Sequence, residues 1–411
     1  MNTEDSKAMN PYADRYIRLV LGMGEHDTDY VDAYYGDPAV REQVKAAKPT
    51  LDQIYNEAIA LRDELRRTTA PHDNMLALRR TYLTRQTEAL IARAEMLRGK
   101  KLTFDEESKA LYDAVAPHHD EAYFQQATAD LERELPGEGT ISERLDKFRR
   151  DFVIPKDKLD AVFKAAIDGC RSRTLQHTQL PEGEHFTVEY VTNKSWSGYN
   201  WYKGNYNSLI QVNTDLPIFI DRAIDLACHE GYPGHHVYNA LLEKNLVRDR
   251  GWQEFTVYPL FSPQSLIAEG SANYGIEVAF PAHERVDFEK ANLFPIAGID
   301  PSKADKYYRV QDLTAKLAYS GNEAARRYLD GEITADQSAQ WLVKYGLYAP
   351  ERAKQRVKFV DQYRSYVINY NLGKDLVRDY VERHGGNDPS KRWQAFIELL
   401  SSPRLPSELT R

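Results

Sequence analysis

The segment Cys228-His229-Glu230-Gly231-Tyr232-Pro233-Gly234-His235-His236 gathers three of the chain's eleven histidines beside a glutamate. Imidazole and carboxylate are donors for a divalent first-row metal, and a free glutamate next to a ligating histidine is a general base for hydrolysis. The regular zinc helix, H-E-x-x-H, places its two histidines one turn apart. Here the second histidine falls at i+6 or i+7. On an unbroken helix i+6 lies about 240° round and about 9 Å along the axis, so that pair cannot share one ion. At i+7 the faces agree, but the axial gap is about 10.5 Å. Pro233 offers no N–H to the carbonyl of His229 and its ring clashes there, so the helix must kink or bulge. Gly234 then permits backbone conformations closed to other residues. A two-residue bulge at 231–233 returns His235 to the second-ligand position of an ordinary zinc helix. The competing reading is a helix C-terminus with three histidines at its negative dipole end.

A third ligand belongs on a neighbouring helix, and the stretch 265–280 is the best candidate. Glu269 sits among Leu266, Ile267 and Ala268, where an unpaired carboxylate costs several kcal/mol and needs a partner. Small residues at 268, 270, 271, 272 and 275 allow close packing on another backbone. Asn273, one turn on, can hydrogen-bond a ligating imidazole and fix its tautomer. The alternative is a glutamate paired with an arginine.

The run H-E-G-Y-P-G-H-H at 229–236, followed by E-G-x-A-N at 269–273, resembles the bacterial DUF885 family. That family is similar to the glutamate-zincin metallopeptidases, with a fold like that of the M32 carboxypeptidases. The stretch 25–36 and the piece Tyr-Asn-Leu-Gly at 370–373 extend the resemblance over almost the whole chain. It implies His229, His235 and Glu269 as ligands of Zn2+ and Glu230 as the general base. His236 is an alternative ligand or a donor to the transition state. Candidate donors to the developing oxyanion are His236 and the cluster Tyr363, Arg364, Tyr366 and Tyr370, with Tyr370 favoured by the resemblance. For at least two of the stripe Tyr363, Tyr366, Tyr370, core packing against another helix is the safer reading. No arginine stands out as an anchor for a substrate carboxylate; Arg326 and Arg327 read as well as surface charges.

The elements that must position these residues are mostly helices. Residues 9–180 carry helical spacing, as in Leu51, Ile54, Tyr55, Ala58, Leu61 and Leu65, broken at Pro49, Pro71, Pro117, Pro136 and Pro155. Thr140-Ile-Ser-Glu143 is a capping box. Over 181–216 the pattern alternates: strands are expected at 185–191 and 208–213, with a loop or hairpin in the aromatic stretch 195–207 between them. The strand 208–213 is either an exposed edge to which an extended peptide can add, or buried in a three-stranded sheet. Asn200, Tyr202 and Asn207 line a cleft or form turns. From Leu216 the helical period returns, with loops around 242–252 and 291–304 among others. The reading is a mainly α fold with a small β-sheet preceding the metal helix, and the resemblance implies an M32 carboxypeptidase-like architecture for it. It forms one catalytic unit, 1–411. Within it a helical region spans 1–180, a sheet insertion 181–216, and a second helical region, 217–411, holds the metal site.

The chain has 411 residues, 42 % hydrophobic and 28 % charged, a globular composition. With 54 Lys+Arg against 62 Asp+Glu its net charge is −8, which argues against a nucleic-acid partner. No apolar run reaches the ~20 residues of a membrane helix, and the first residues show no secretory pattern. Two cysteines, Cys170 and Cys228, make no disulfide framework, which fits a reducing compartment and a cytoplasmic location. The expected function is a zinc-dependent metallopeptidase or related amide hydrolase acting on small peptides. The alternatives are an iron or manganese enzyme using the same ligands, or an inactive helical binding protein.

Overall fold

The structure is a computed structural model that describes residues 4–410 except Ala70 and Ser195; Met1–Thr3 and Ser195, which entered the sequence reading, lie outside the described residues. Helices dominate, as the 3.6-residue spacing requires. Leu51–Arg67 buries Ile54, Ala58, Leu61 and Leu65 on one face, and Asn74–Leu97 buries Leu76, Tyr82, Leu83 and Leu90. The capping box at Thr140 and Glu143 is formed, and others start the helices at Leu51 and Ala335. All five predicted proline breaks fall between helices. Loops expected at 242–252 and 291–304 contain short helical turns, Glu243–Arg248 and Phe294–Ala297.

These helices close on the C-terminal half through one apolar core that draws residues from Met9 to Leu409. A smaller cluster gathers Phe124, Leu131 and Leu145 against Trp341, Leu342 and Tyr345. Arg79 and Glu254 form a fully buried ion pair at 2.6 Å, with the guanidinium also stacked on Trp252. A pair so deep must satisfy its remaining hydrogen bonds, and Arg79 does so on the Ser6 carbonyl and Asn10.

The alternating segment forms β2 (His185–Val191), β3 (Gly198–Gly204) and β4 (Asn207–Asn213), after β1 (Val31–Tyr34) near the N-terminus. Of the loop and hairpin readings of the aromatic stretch, the structure shows strand and turn: most of it is β3. It pairs antiparallel with β4 through a turn in which Asn205 and Tyr206 both have positive φ. The sheet order is β2-β4-β3, so β4 is internal. Of the two readings of 208–213, the exposed edge is excluded: the edges are β2, parallel to β4, and β3. β1 pairs antiparallel with β5 (Val257–Pro259), a second sheet of four and three residues, too short to leave a period in the sequence.

Cys170 and Cys228 form a disulfide, with Cα atoms 5.7 Å apart. This corrects the expectation of two unpaired cysteines and removes the support that cysteine usage gave to a reducing compartment. It ties the helix Leu159–Leu175 to the residue before His229. Among the described residues no helix is long and apolar enough to cross a membrane.

The helices Pro263–Ala279 and Ile368–Gly385 meet backbone to backbone at Gly270 and Gly373. A Cβ on Gly270 would stand 2.4 Å from the carbonyl carbon and oxygen of Gly373, both backbone atoms that cannot turn aside. Gly270→Ala is therefore expected to lower stability by about 1–3 kcal/mol. Gly321→Ala, with open space around it inside a helix, should be neutral or gain up to about 1 kcal/mol. Denaturant unfolding midpoints measure both.

Candidate metal centre

The helix Asp221–Leu226 runs straight into a π-helical turn, Ala227–Gly231. The chain then passes through a cis Tyr232–Pro233 bond to Gly234, and a new helix, His235–Leu242, begins. The interruption expected around Pro233 is present, but it starts earlier, with the widened turn. Gly234 owes its place to close approach: its φ is −78°, and a Cβ there would lie 1.9 Å from the His229 carbonyl oxygen. Its own N–H donates to the Cys228 carbonyl at 2.9 Å. The fold-back brings the Nε2 atoms of His229 and His235 to 3.1 Å, with the rings almost perpendicular. Glu269 reaches in from Pro263–Ala279, one oxygen 3.2 Å from His229 Nε2 and the other 3.7 Å from His235 Nε2. Donor atoms of all three lie within 4.8 Å of one another.

The hydrogen bonds around this triad set its protonation. Asn273 Nδ2 donates to the Tyr370 carbonyl at 3.1 Å, which turns Oδ1 towards His229 Nδ1, also at 3.1 Å. His229 must then donate from Nδ1, leaving the lone pair on Nε2 to face His235 and Glu269. Tyr366 donates its hydroxyl to Glu269 Oε1 at 2.9 Å, while Glu269 Oε2 is buried with no hydrogen-bond partner. Burial opposes ionisation of Glu269; without a metal, protons on the imidazoles of His229 and His235 facing it outweigh burial and hold the carboxyl well below its usual range, and a cation facing the Nε2 lone pair would take the place of those protons. A lone pair, a second imidazole and an orphaned carboxylate oxygen aimed at one point fit a divalent cation.

Glu230 follows the first histidine and is 4 % exposed. Burial pushes its pKa up to about 7, against the pull of His235 and with a push from Glu269. Room for it comes from β3: Gly198 has no side chain, and a Cβ there would come within 3.0 Å of Glu230 Oε1. Asn200, two residues on, donates to the Glu230 carbonyl at 2.7 Å. Asp32 of β1 lies on the same cleft, and burial raises it also to about 7, with His235, Glu269 and Glu230 all acting on it. It accepts a hydrogen bond from the Tyr199 hydroxyl. Asp32 was not singled out in the sequence; its signal was the stretch 25–36, which carries no metal-ligand spacing.

His229, Glu230, His235 and Glu269 open into a cleft of about 1470 Å³. Asn200 and Tyr202 line it as well; Asn207 instead donates to the Asn205 carbonyl at the turn. Tyr363, Tyr366 and Tyr370 all line the cleft while also packing on one another. Arg364 turns away to Glu107, at 2.7 Å. His236 needs a correction: it is fully buried on the far side, Nδ1 at 2.9 Å from the Ser208 hydroxyl and Nε2 at 2.9 Å from Glu184. With both nitrogens taken, it neither ligates at this centre nor donates into the cleft. It follows His235 directly, about 100° round a helix, which explains the opposite face.

The raised Glu230 has a measurable consequence in chelator-treated protein. Its carboxyl keeps a proton in the fold up to about pH 7 but ionises near 4.5 when unfolded. Native protein thus binds more protons between those values, and stability falls as pH rises through them. The advantage of Glu230→Gln over the parent should grow between pH 4.5 and 8, by up to roughly 3 kcal/mol. A constant gap in unfolding midpoints across that range would mean that Glu230 is ionised in the fold throughout.

No protein-family model and no curated protein match the chain. Among solved structures it is similar to a candidate lipoprotein from Colwellia psychrerythraea, with TM-score 0.51 and 15 % identity over 87 % of this chain. The match spans 65 % of that protein's length. A protein named CHT has TM-score 0.50 and 12 % identity, covering 97 % of this chain and 92 % of its own. A candidate lipoprotein of unknown function from Shewanella oneidensis gives TM-score 0.46 and 11 % identity, covering 89 % and 79 %. At such identities the likeness to the first two concerns the fold alone.

Proposed function

We propose that the chain is a zinc-dependent metallopeptidase or related amide hydrolase of the DUF885 and glutamate-zincin kind, acting on small peptides. The observation that carries the reading is the convergence of His229, His235 and Glu269 on one point, with the protonatable Glu230 beside it. Zinc held by these donors would polarise the scissile carbonyl and acidify water. Glu230 takes the proton of the attacking water at its carboxylate and hands it to the leaving amine, a task suited to a group that exchanges protons near neutrality. Asn273 and Tyr366 orient His229 and Glu269. Tyr370, on the cleft wall, donates to the developing oxyanion. The extended substrate lies along β3, the sheet edge beside Glu230. The cleft exceeds the roughly 300–1,000 Å³ of a pocket for one small ligand, which favours a short peptide over a single residue.

Protein purified without added metal or a histidine tag should contain about one zinc per chain, and His235→Ala should lose it. Absence of metal from the parent, with no tight uptake on titration, would remove the basis for the enzyme. Glu230→Gln should keep the metal and lose peptide hydrolysis by about 10²–10⁴-fold. Asn273→Ala should weaken zinc affinity by about 10–100-fold while the fold is kept, read by competition with a chromogenic chelator.

A further inference from the structure

Among the described residues six arginines line the cleft, and four of them, Arg149, Arg222, Arg352 and Arg356, form one basic wall in which Arg352 is acted on by the other three. Arg352 and Arg356 are four residues apart on the helix Pro350–Tyr363 and so share a face. Arg149 ends the helix Ile141–Arg149, and Arg222 stands on Asp221–Leu226, seven residues before His229 and about 10 Å along that axis. Three elements distant in sequence thus bring like charges together, an arrangement that repulsion disfavours unless an anion comes between them.

Few carboxylates answer this charge. Asp225 pairs with Arg222 at 2.9 Å, but shares itself with Arg285 at the same distance. Asp221 is engaged by Tyr307 and Gln311, Asp146 by Arg150, and Glu351 by Lys354. Among the described residues Arg149 makes no ion pair: it donates to the amide oxygen of Gln311, and its Nε is buried without a partner. Arg356 lies over the rings of Phe359 and Tyr370, and its Nε is likewise buried and unpartnered. Arg352 makes no ion pair among the described residues. Crowding by the surrounding protein, together with Arg222, Arg356 and Arg149, lowers its pKa, although its side chain remains open to water in the cleft. The cluster also connects with the candidate metal centre: Arg356 stacks on Tyr370, and Arg222 acts on Glu230.

We infer that this wall is a subsite for an anionic group carrying more than one negative charge, the paired carboxylates of an acidic residue at the C-terminus of a peptide. Three guanidiniums without a carboxylate partner exceed what one carboxylate can neutralise, and their planar forks suit bidentate contact with two. The rings of Phe359 and Tyr370 under Arg356 hold its fork in place before a ligand arrives. The inference rests on the peptide-hydrolase reading for the identity of the ligand, but its charge selectivity is read without turnover.

The test uses full-length, zinc-loaded Glu230→Gln protein and four tetrapeptides that differ only at the end: terminal Glu or Gln, each with a free acid or an amide. Calorimetric titration should give the free-acid Glu peptide an affinity at least about tenfold above the amidated Gln peptide. The two single-carboxylate peptides should fall between, which separates the α-carboxylate from the side chain. Arg352→Gln, at a water-exposed position that leaves the fold intact, should shrink this preference, and adding Arg356→Gln should abolish it while amidated Gln peptide binds as before. Equal binding of all four, no binding of any, or a preference that survives both substitutions overturns the subsite. Hydrolysis by the parent without acidic preference would sink the subsite and keep the hydrolase. Acidic preference in binding, with no hydrolysis by the parent, would do the reverse.

Discussion

The distance between two carbonyl oxygens and one missing methyl group governs this molecule. On a straight helix His229 and His235 would be about 9 Å apart along the axis and on different faces. Their Nε2 atoms instead stand 3.1 Å apart because the backbone at Gly234 folds back against the carbonyls of Cys228 and His229, where no Cβ fits. The rest of the centre is arranged against that fold-back. Glu269 and Asn273 meet the histidines from a helix whose position is set by another contact between backbones, Gly270 on Gly373. Glycines at 198, 234 and 270 therefore decide where charged and ligating side chains can stand, although none contributes a functional atom.

Much of this was legible in the sequence, for physical reasons that differ from residue to residue. Pro233 forbids a continuous helix, so the odd spacing of the histidines was itself evidence for an interruption. Glu269 was legible because a carboxylate in an apolar run demands a partner, and Asn273 because it lies one turn away on the same face. The helical regions followed from long periodic segments with caps and proline breaks.

What escaped depends on contacts between distant segments. The Gly, Asn and aromatic residues of β3 read as loop or hairpin alike, and only pairing with β4 decides for a strand. The same pairing turned 208–213 from a possible edge into the middle of the sheet. His236 shares every sequence attribute of a ligand with its neighbour, yet its orientation sends it to Ser208 and Glu184. The basic wall escaped as well: Arg149, Arg222 and Arg352 belong to no motif and come together only where the fold places them on one cleft. The result is a cleft that holds both buried carboxyls and guanidiniums without a carboxylate partner, in a chain whose net charge of −8 gives no hint of a basic surface.

The disulfide has a consequence in the unfolded chain. Cys170 and Cys228 are 58 residues apart, and the covalent ring they close contains the whole three-stranded sheet and stops one residue short of His229. A ring of that size removes loop-closure entropy worth about 4 kcal/mol from the denatured ensemble. Before any packing forms, the sheet and the approach to the first histidine are already confined to a closed circuit, so the entropy that remains to be lost there is that of a loop rather than of a free chain.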